Sequence, residues 1–272
     1  MKRSLWILAV LLLASSTAMA QDWWDDSSSE YSPITLELIA WMNRLDGTVT
    51  WGTTGVPGKE IDFKKDAGID SDSWGPYVRL NLALSDRWDL RLSFWHAKHT
   101  GDAKLPQTLS FGGATFLQGS QTDTTFSLDA YNALLGYKFI DGEQLDFTIL
   151  FGGAVFAARM EMESGTSLAK QTATVPTPQV GVAADLTLTK GFDFRAQIVG
   201  FALDTNDVNG EQFDAEGAFN LTLVQGLYIT AGYKFFRVNG DFARNDTDSD
   251  DSLSNNADFD IQGPFFGLGL NF

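Results

Sequence analysis

The sequence predicts an all-β fold: a transmembrane antiparallel up-and-down β-barrel of about ten strands. Three observations support this class: an N-terminal export signal, the lack of any apolar stretch of helix-spanning length, and ten alternating segments joined by short and long connections in turn. A spanning helix needs about 20 apolar residues. Because backbone polar groups must be paired inside a membrane, a chain that crosses it without such helices does so as a closed barrel.

The start of the chain has the features of a cleavable signal peptide. Lys2 and Arg3 precede an apolar run, and Ala18-Met19-Ala20 fits the small-residue pattern of a cleavage site. Export of a barrel-forming chain indicates the cell outer membrane as its location. We therefore expect three parts: a signal peptide at 1–20, a periplasmic N-terminal lead at 21–33 and the outer-membrane barrel at 34–272.

The composition argues against several functions. The chain contains no cysteine, so disulfides, thiolate metal sites and a lipid-modified N-terminal cysteine are excluded. Its formal net charge is −16, whereas binding to nucleic acid depends on Lys and Arg side chains that neutralise phosphates. We therefore expect neither a nucleic-acid partner nor a cofactor.

Alternation of apolar and polar residues, bounded by turn residues, marks ten predicted strands. They are 34–50, 73–84, 87–99, 121–139, 145–162, 171–189, 192–204, 211–224, 227–242 and 257–272. The connections after the second, fourth, sixth and eighth segments are tight, and the other connections are longer. This alternation matches the short periplasmic turns and long extracellular loops of bacterial barrels, which also have even strand numbers.

One face of each predicted strand is apolar and is expected to contact lipid, for example Val78, Leu80 and Leu82 in the second segment. Aromatic residues near the expected interfaces would form a girdle: Trp74, Trp88, Tyr137, Phe139 and Tyr233. The fourth segment is irregular, because its apolar residues change parity between Ala130 and Ala133. A bulge or an extension above the membrane would account for the change.

The last segment ends in an alternating apolar pattern. The apolar positions are Phe266, Leu268, Leu270 and the terminal Phe272. This pattern resembles the C-terminal signature of Gram-negative outer-membrane β-barrel proteins, the small porin-like class, without selecting a subfamily. The resemblance implies that the strand is recognised by the barrel-assembly machinery. It also implies contact with outer-membrane lipid and lipopolysaccharide.

The opposite parity of the strands faces the lumen and carries charges of both signs. The candidate lumen-lining charges are Glu37, Arg79, Arg91, Asp185, Arg195, Glu216 and Lys234, accompanied by Asp89, Asp146, Asp193 and Lys138. Acids and bases almost cancel, and Trp41, Trp95 and Tyr77 lie on the same parity. Because barrels of about eight strands are just filled by side chains, an internal ion-pair network is favoured over a narrow charged pore.

Tests for catalytic chemistry are negative in this sequence. Omptin proteases are similar in strand number and length and depend on an Asp-His arrangement, but the two histidines, His96 and His99, are not followed by Asp and lie on one strand. Lipid A deacylases use a His-Ser pair near the end of the chain, where this sequence has no histidine. We expect no catalytic residues and hence no enzyme.

No metal site is predicted with any specificity. Residues three apart on a strand point to opposite faces, so His96 and His99 do not form a pair of ligands. The weak candidates are Asp246, Asp248 and Asp250, whose alternating carboxylates could bind a hard cation. Their segment lacks the glycine and the glutamate of an EF-hand loop, and a solvated surface loop is favoured.

Two functional hypotheses remain from the sequence. The first is a structural or surface-interaction barrel whose lumen is occluded by ion pairs. The alternative is a small pore or binding barrel for passage of a small solute across the outer membrane. Segregation of lumen charge into a stripe of one sign would favour conduction, and close pairing would favour occlusion.

Overall fold

The computed structural model describes residues 33–51, 59–70, 72–165, 167–204, 208–244 and 253–272. Thirteen strands lie within these ranges. In chain order they are β1 (Ile34–Thr50), β2 (Glu60–Asp62), β3 (Ser73–Ala83), β4 (Trp88–Lys104), β5 (Leu109–Phe111), β6 (Ala114–Phe116), β7 (Gln121–Asp141), β8 (Leu145–Ser164), β9 (Ser167–Thr189), β10 (Phe192–Asp204), β11 (Val208–Val224), β12 (Leu227–Arg244) and β13 (Leu253–Asn271). None of the described residues forms a helix long and apolar enough to cross a membrane.

Ten of the described strands form one closed antiparallel barrel. The order around the wall is β1, β3, β4, β7, β8, β9, β10, β11, β12 and β13, and β13 returns to β1. The first and last strands pair over most of their length, from Thr35 opposite Asn271 to Thr50 opposite Asn256. The amide of Phe272 donates to the carbonyl of Ile34 (2.9 Å) and completes the seam. The predicted ten-stranded barrel is confirmed.

Tight turns join strands at the end of the barrel where β1 begins and β13 finishes. Lys190-Gly191 joins β9 to β10, and Gln225-Gly226 joins β11 to β12. Both glycines have positive φ values, 78° and 77°. A left-handed residue lets two strands reverse within two residues, and glycine adopts it without steric cost. These are the short turns that the sequence predicts.

At the opposite end several strands are longer than a membrane requires. A spanning strand needs about 9–11 residues, whereas β7 has 21, β8 has 20 and β9 has 23. The sequence predicts a connection at 163–170, but β8 and β9 remain paired up to Ser164 opposite Ser167. Antiparallel pairing satisfies the hydrogen-bonding groups of the backbone in water as well as in lipid. These strands therefore continue past the length that spans lipid and project on the long-loop side.

The parity change in β7 has a different cause from a bulge. Pairing with β4 is unbroken from Tyr137 opposite Trp88 to Gln121 opposite Lys104. Phe126 and Leu128 are buried inside the barrel, while Tyr131 is exposed on the outside. The interior is therefore apolar in the half of the barrel nearer the long loops, which we call the outer half. In that half, an alternating pattern of apolar residues does not by itself identify the side chains that face lipid.

The outer wall presents apolar side chains between two aromatic zones. Val180 and Leu268 are more than half exposed on this wall. Trp88 packs against Tyr137 at the short-turn end, with ring centroids 4.9 Å apart. Trp74 lies toward the long-loop end, and its ring centroid is 5.3 Å from that of Phe266. An exposed apolar belt bordered by aromatic rings is the surface that a barrel presents to lipid.

Two short elements that were not predicted cover part of the long-loop mouth. Strand β2 extends the barrel sheet beside β1, and β5 with β6 forms a separate hairpin. Phe63 follows β2 and is fully buried with the apolar interior, as are Leu109 and Phe111 of the hairpin. The ring centroid of Phe111 lies 6.0 Å from that of Trp51 at the end of β1.

Candidate functional site inside the barrel

The middle of the barrel holds a cluster of buried charged side chains. Within the described residues it contains three carboxylates and three cations, which we call the central ion cluster. Its members come from β1, β3, β10, β11 and β12 and are Glu37, Arg79, Arg195, Asp214, Glu216 and Lys234. The formal charges of these six groups cancel. Each side chain points inward because it lies on the parity opposite to the exposed apolar belt.

Glu37 is the hub of one half of the central ion cluster and is 0% exposed. Arg195 approaches it with two nitrogens, Nη1 to Oε1 at 3.0 Å and Nη2 to Oε2 at 3.3 Å. Arg79 places Nε 2.5 Å from Oε2. The hydroxyl of Tyr228 donates to Oε1 at 2.6 Å. A buried carboxylate is stabilised by several such partners, since an unpaired charge in this position would be costly.

Glu216 is the hub of the other half. Its Oε1 accepts from Nη1 of Arg79, which thereby bridges the two carboxylates. The hydroxyl of Tyr77 donates to Oε2 at 2.7 Å. Lys234 lies 3.9 Å from the same oxygen and donates to Asp214 on the neighbouring strand. The two halves form one continuous network.

These contacts join opposite walls of the barrel. On the shorter way round, three strands separate β1 from β10, which carry Glu37 and Arg195. Three strands also separate β3 from β11, which carry Arg79 and Glu216. The network therefore crosses the lumen instead of following the wall.

A second polar layer lies nearer the short turns. Arg91 makes two contacts with the carboxylate of Asp89 (3.0 and 3.1 Å) and reaches Gln197 on the far wall (3.3 Å). Lys138 contacts Asp146 at 3.0 Å. These side chains are partly exposed, in contrast to the central ion cluster. Asp185 and Asp193 lie on the same inward parity and are partly buried.

An aromatic layer lies on the long-loop side of the central ion cluster. Trp41 and Trp95 are 0% exposed, and their ring centroids lie 5.3 Å apart at 82°. Phe236 lies 5.0 Å from Trp95 and 5.1 Å from Phe156. The ammonium of Lys234 lies 5.9 Å from the ring of Trp95. Edge-on aromatic packing and cation–π contact thus connect the apolar layer to the charged one.

The loop before β3 is stabilised by a compact turn. The backbone amides of Lys64 and Lys65 donate to Oδ1 of Asp62 (3.0 and 2.9 Å). Partial burial raises the pKa of Asp62, but the amide of Lys65, its ammonium and the amide of Lys64 together lower that pKa below its usual value. The turn positions Phe63, whose ring centroid is 4.9 Å from that of Phe126 inside the barrel.

The structure brings together most of the predicted lumen charges. Glu37, Arg79, Arg195, Glu216 and Lys234 meet in the central ion cluster, while Arg91 lies in the second polar layer and Asp185 lies beside it without a described ion pair. Sequence reasoning missed Asp214 and Tyr228. Asp214 shares the inward parity of Glu216, two residues away, so parity was a sufficient signal. Tyr228 was assigned no role from the sequence, and only its contact with Glu37 reveals its part in the cluster.

The remaining candidates lie away from this site. Phe266, Leu268 and Phe272 are exposed on the outer wall of β13 and at its end, and Leu270 is partly exposed. Asp246, Asp248 and Asp250 lie outside the described residues, as do residues 1–32. Among the described residues no group of three or more His, Asp or Glu side chains is arranged to hold a metal ion.

The two histidines occupy opposite faces of β4. His96 lies on the outer wall, and its Nδ1 is 2.6 Å from Oδ1 of Asp129 on β7. His99 is buried on the inner side. The His96–Asp129 pair was not predicted, because the two residues are adjacent only through strand pairing.

The closed antiparallel barrel, its apolar outer belt and its charged interior define an outer-membrane-type β-barrel protein. Comparison with protein-family models and with curated proteins gives no match. Among solved structures, the translocator domain of the autotransporter NalP from Neisseria meningitidis is similar over 97% of this chain and 96% of its own, with 11% identity and a TM-score of 0.46.

Two other solved structures have similar coverage. Ail, the attachment invasion locus protein of Yersinia pestis, aligns with 88% of this chain and 98% of its own at 10% identity and a TM-score of 0.33. The Pseudomonas putida toluene transporter TodX aligns with 89% of this chain and 90% of its own at 9% identity and a TM-score of 0.32. At these values we transfer no function from any of the three.

Proposed function

We propose that this protein resides in the outer membrane as a barrel whose lumen is closed by its own side chains, and that it acts at the cell surface through its projecting strands. The observation that carries the proposal is the ion pair between Glu37 and Arg195. It joins nearly opposite walls, and Glu37 is 0% exposed. A lumen wide enough for hydrated ions would leave this carboxylate in contact with water.

Two further features support closure. The aromatic layer places fully buried rings of Trp41 and Trp95 directly above the central ion cluster. Arg79 and Glu216 cross the lumen beside Glu37 and Arg195, so paired charges of both signs occupy the cross-section. A conduction path for ions is favoured by a stripe of one sign, which paired charges do not provide.

The proposed surface role depends on the long strands. Strands β7, β8 and β9 exceed the length needed to span lipid by about ten residues. Their distal parts carry exposed charges, including Glu163 and Lys170, in place of the apolar belt. We include lipopolysaccharide among the partners of this region and the barrel-assembly machinery among the partners of β13.

Single-channel recording in planar bilayers tests the closed lumen. The mature protein is expected to insert without producing reproducible open steps. The double variant Arg79→Ala/Glu216→Ala removes two crossing side chains while the pairs Glu37–Arg195 and Lys234–Asp214 keep their charges balanced, and it is expected to produce steps. Reproducible steps from the unaltered protein that this variant changes would contradict closure and support the small-solute pore.

A matched control is available on the outer wall. Arg44 and Asp72 form an exposed ion pair, with Nε 2.8 Å from Oδ1. The double variant Arg44→Ala/Asp72→Ala removes the same kinds of charge without changing the lumen. It is expected to stay silent, and steps from this control would show that the recordings report imperfect insertion rather than an opened lumen.

A further inference from the structure

A cavity of about 190 Å³ lies inside the outer half of the barrel, above the central ion cluster. Its lining includes the side chains of Phe126, Phe156, Phe236 and Phe259 and of Val175. These residues come from five different strands, so the cavity belongs to the barrel interior and not to a surface loop. For comparison, an apolar cavity of about 150 Å³ in another protein stays dry and binds benzene.

Two polar groups in this apolar lining lack partners. Thr177 is 6% exposed and Gln212 is 3% exposed. Oε1 of Gln212 accepts from Nε2 of Gln179 (3.0 Å). Among the described residues, however, Oγ1 of Thr177 and Nε2 of Gln212 have no hydrogen-bond partner. A buried polar group without a partner costs free energy, so each of these atoms favours a ligand that supplies a hydrogen bond.

The surrounding charges do not favour an ionic ligand. The nearest buried charges along β11 and β12 are Asp214 and Lys234, which are paired with each other. Glu211 also borders the cavity, but it is exposed and lies on the opposite parity to the buried Gln212. An ion inside the cavity would therefore lose its hydration without gaining a buried opposite charge, and this loss is unfavourable. A fully apolar molecule would leave the atoms of Thr177 and Gln212 unsatisfied.

We propose that the cavity is a binding site for a small uncharged amphiphile, with a compact apolar or aromatic body and one hydrogen-bonding group. The body packs against the four phenylalanine rings. The hydrogen-bonding group meets Thr177 or Gln212 at the polar edge of the cavity. This site is distinct from the central ion cluster, and its occupancy does not depend on whether the lumen conducts.

Calorimetric titration with p-cresol and toluene tests the site. The two probes share an aromatic body and a methyl group, and only p-cresol carries a hydroxyl. The mature protein is embedded in lipid nanodiscs, and the heat measured with protein-free nanodiscs is subtracted to remove partitioning into lipid. We expect saturable binding of p-cresol and weaker binding of toluene. Absence of saturable p-cresol binding would overturn the proposal.

Two nearly isosteric variants separate the contribution of the polar edge of the cavity from the contribution of its apolar lining. Thr177→Val and Gln212→Met each remove a polar group. Each is expected to weaken the affinity for p-cresol roughly three- to tenfold, while the affinity for toluene changes by less than about twofold. Thr174→Val is the matched control, because Thr174 is exposed on the outer wall of the same strand. Equal p-cresol affinity in the unaltered protein and in both cavity variants would overturn the assignment.

A filling variant tests the position of the site. Ala173 lines the cavity, and Ala173→Phe is expected to abolish binding of both probes. Ala157→Phe places the same side chain on the outer wall of β8 and is expected to leave both affinities within about twofold. Heat-dependent migration on gels verifies that each variant is folded. Unchanged p-cresol binding in folded Ala173→Phe protein would exclude this cavity as the site.

Discussion

Glu37 and Arg195 form a two-point ion pair inside the barrel, with oxygen–nitrogen distances of 3.0 and 3.3 Å. The residues lie on β1 and β10, which are separated by three strands on the shorter way round the wall. The pair therefore acts as a brace across the lumen. Arg79 and Tyr228 also contact the carboxylate of Glu37, so the removal of this carboxylate affects several buried groups.

Glu37→Gln should strongly destabilise the barrel. The neutral amide leaves Arg195 buried without its carboxylate, and breaking a buried pair on one side costs about 3–5 kcal/mol. Urea unfolding of the protein in lipid vesicles, followed by tryptophan fluorescence, measures the change. Glu161→Gln removes one partner of an exposed pair with Lys170 (3.2 Å) and should cost less than about 1 kcal/mol. Equal losses in the two variants would contradict the bracing role.

The orientation of the barrel can be tested with single cysteines, because the chain contains none. Leu168 is 60% exposed at the tip of the β8–β9 hairpin, and Asp86 is exposed in the turn between β3 and β4. In intact cells a membrane-impermeant maleimide should label Leu168→Cys but not Asp86→Cys. Permeabilised cells should allow both to be labelled. The reverse pattern would mean that the projecting strands face the periplasm.

Phe272→Ala should reduce assembly more than stability. The side chain is 39% exposed at the end of the barrel seam, while its backbone bond to Ile34 is retained. The amount of folded protein in cell envelopes should fall several-fold, and the free energy of unfolding of refolded protein should fall by less than about 1.5 kcal/mol. Phe219→Ala provides the control, because Phe219 is 49% exposed on the outer wall. If both variants assemble equally, Phe272 has no special part in assembly.

Phe63→Ser should detach the loop that enters the mouth of the barrel. The ring of Phe63 is fully buried against Phe126, and loss of a buried phenylalanine costs about 3–5 kcal/mol. Lys65 is 81% exposed beside it and is a site for trypsin. Cleavage after Lys65 should accelerate by roughly tenfold or more, because the rate of cleavage follows the fraction of molecules in which the loop is detached. Leu117→Ser changes an exposed residue (67%) and should leave the rate of cleavage after Lys65 unchanged. A similar acceleration in that variant would mean that the cleavage rate does not depend on the buried position of Phe63.

Parity and connection length were sufficient to predict the barrel. Alternating residues determine which side chains point outward, and tight turns such as Lys190-Gly191 determine which strands are neighbours. The same parity placed Glu37 and Arg195 in the lumen. It could not show that they meet, because contacts across a barrel depend on the register and tilt of all ten strands.

The outer half of the barrel shows where sequence patterns are ambiguous. Phe126 and Leu128 alternate as lipid-facing residues would, yet they are buried in an apolar interior. An apolar side chain leaves water equally well toward lipid or toward a packed core, so its pattern does not distinguish the two. The insertion of Phe63 into that core was likewise not visible, because loops follow no fixed periodicity.

The sequence by itself determined the fold class, the strand order and the parity of the lumen charges, because side-chain alternation is a local property with a fixed period of two and tight turns make consecutive strands neighbours. Only the tertiary structure decided which charges pair, where the aromatic layer lies and that a cavity remains above it. Those features arise where side chains from distant strands converge, and their distances are set by closure of the whole barrel.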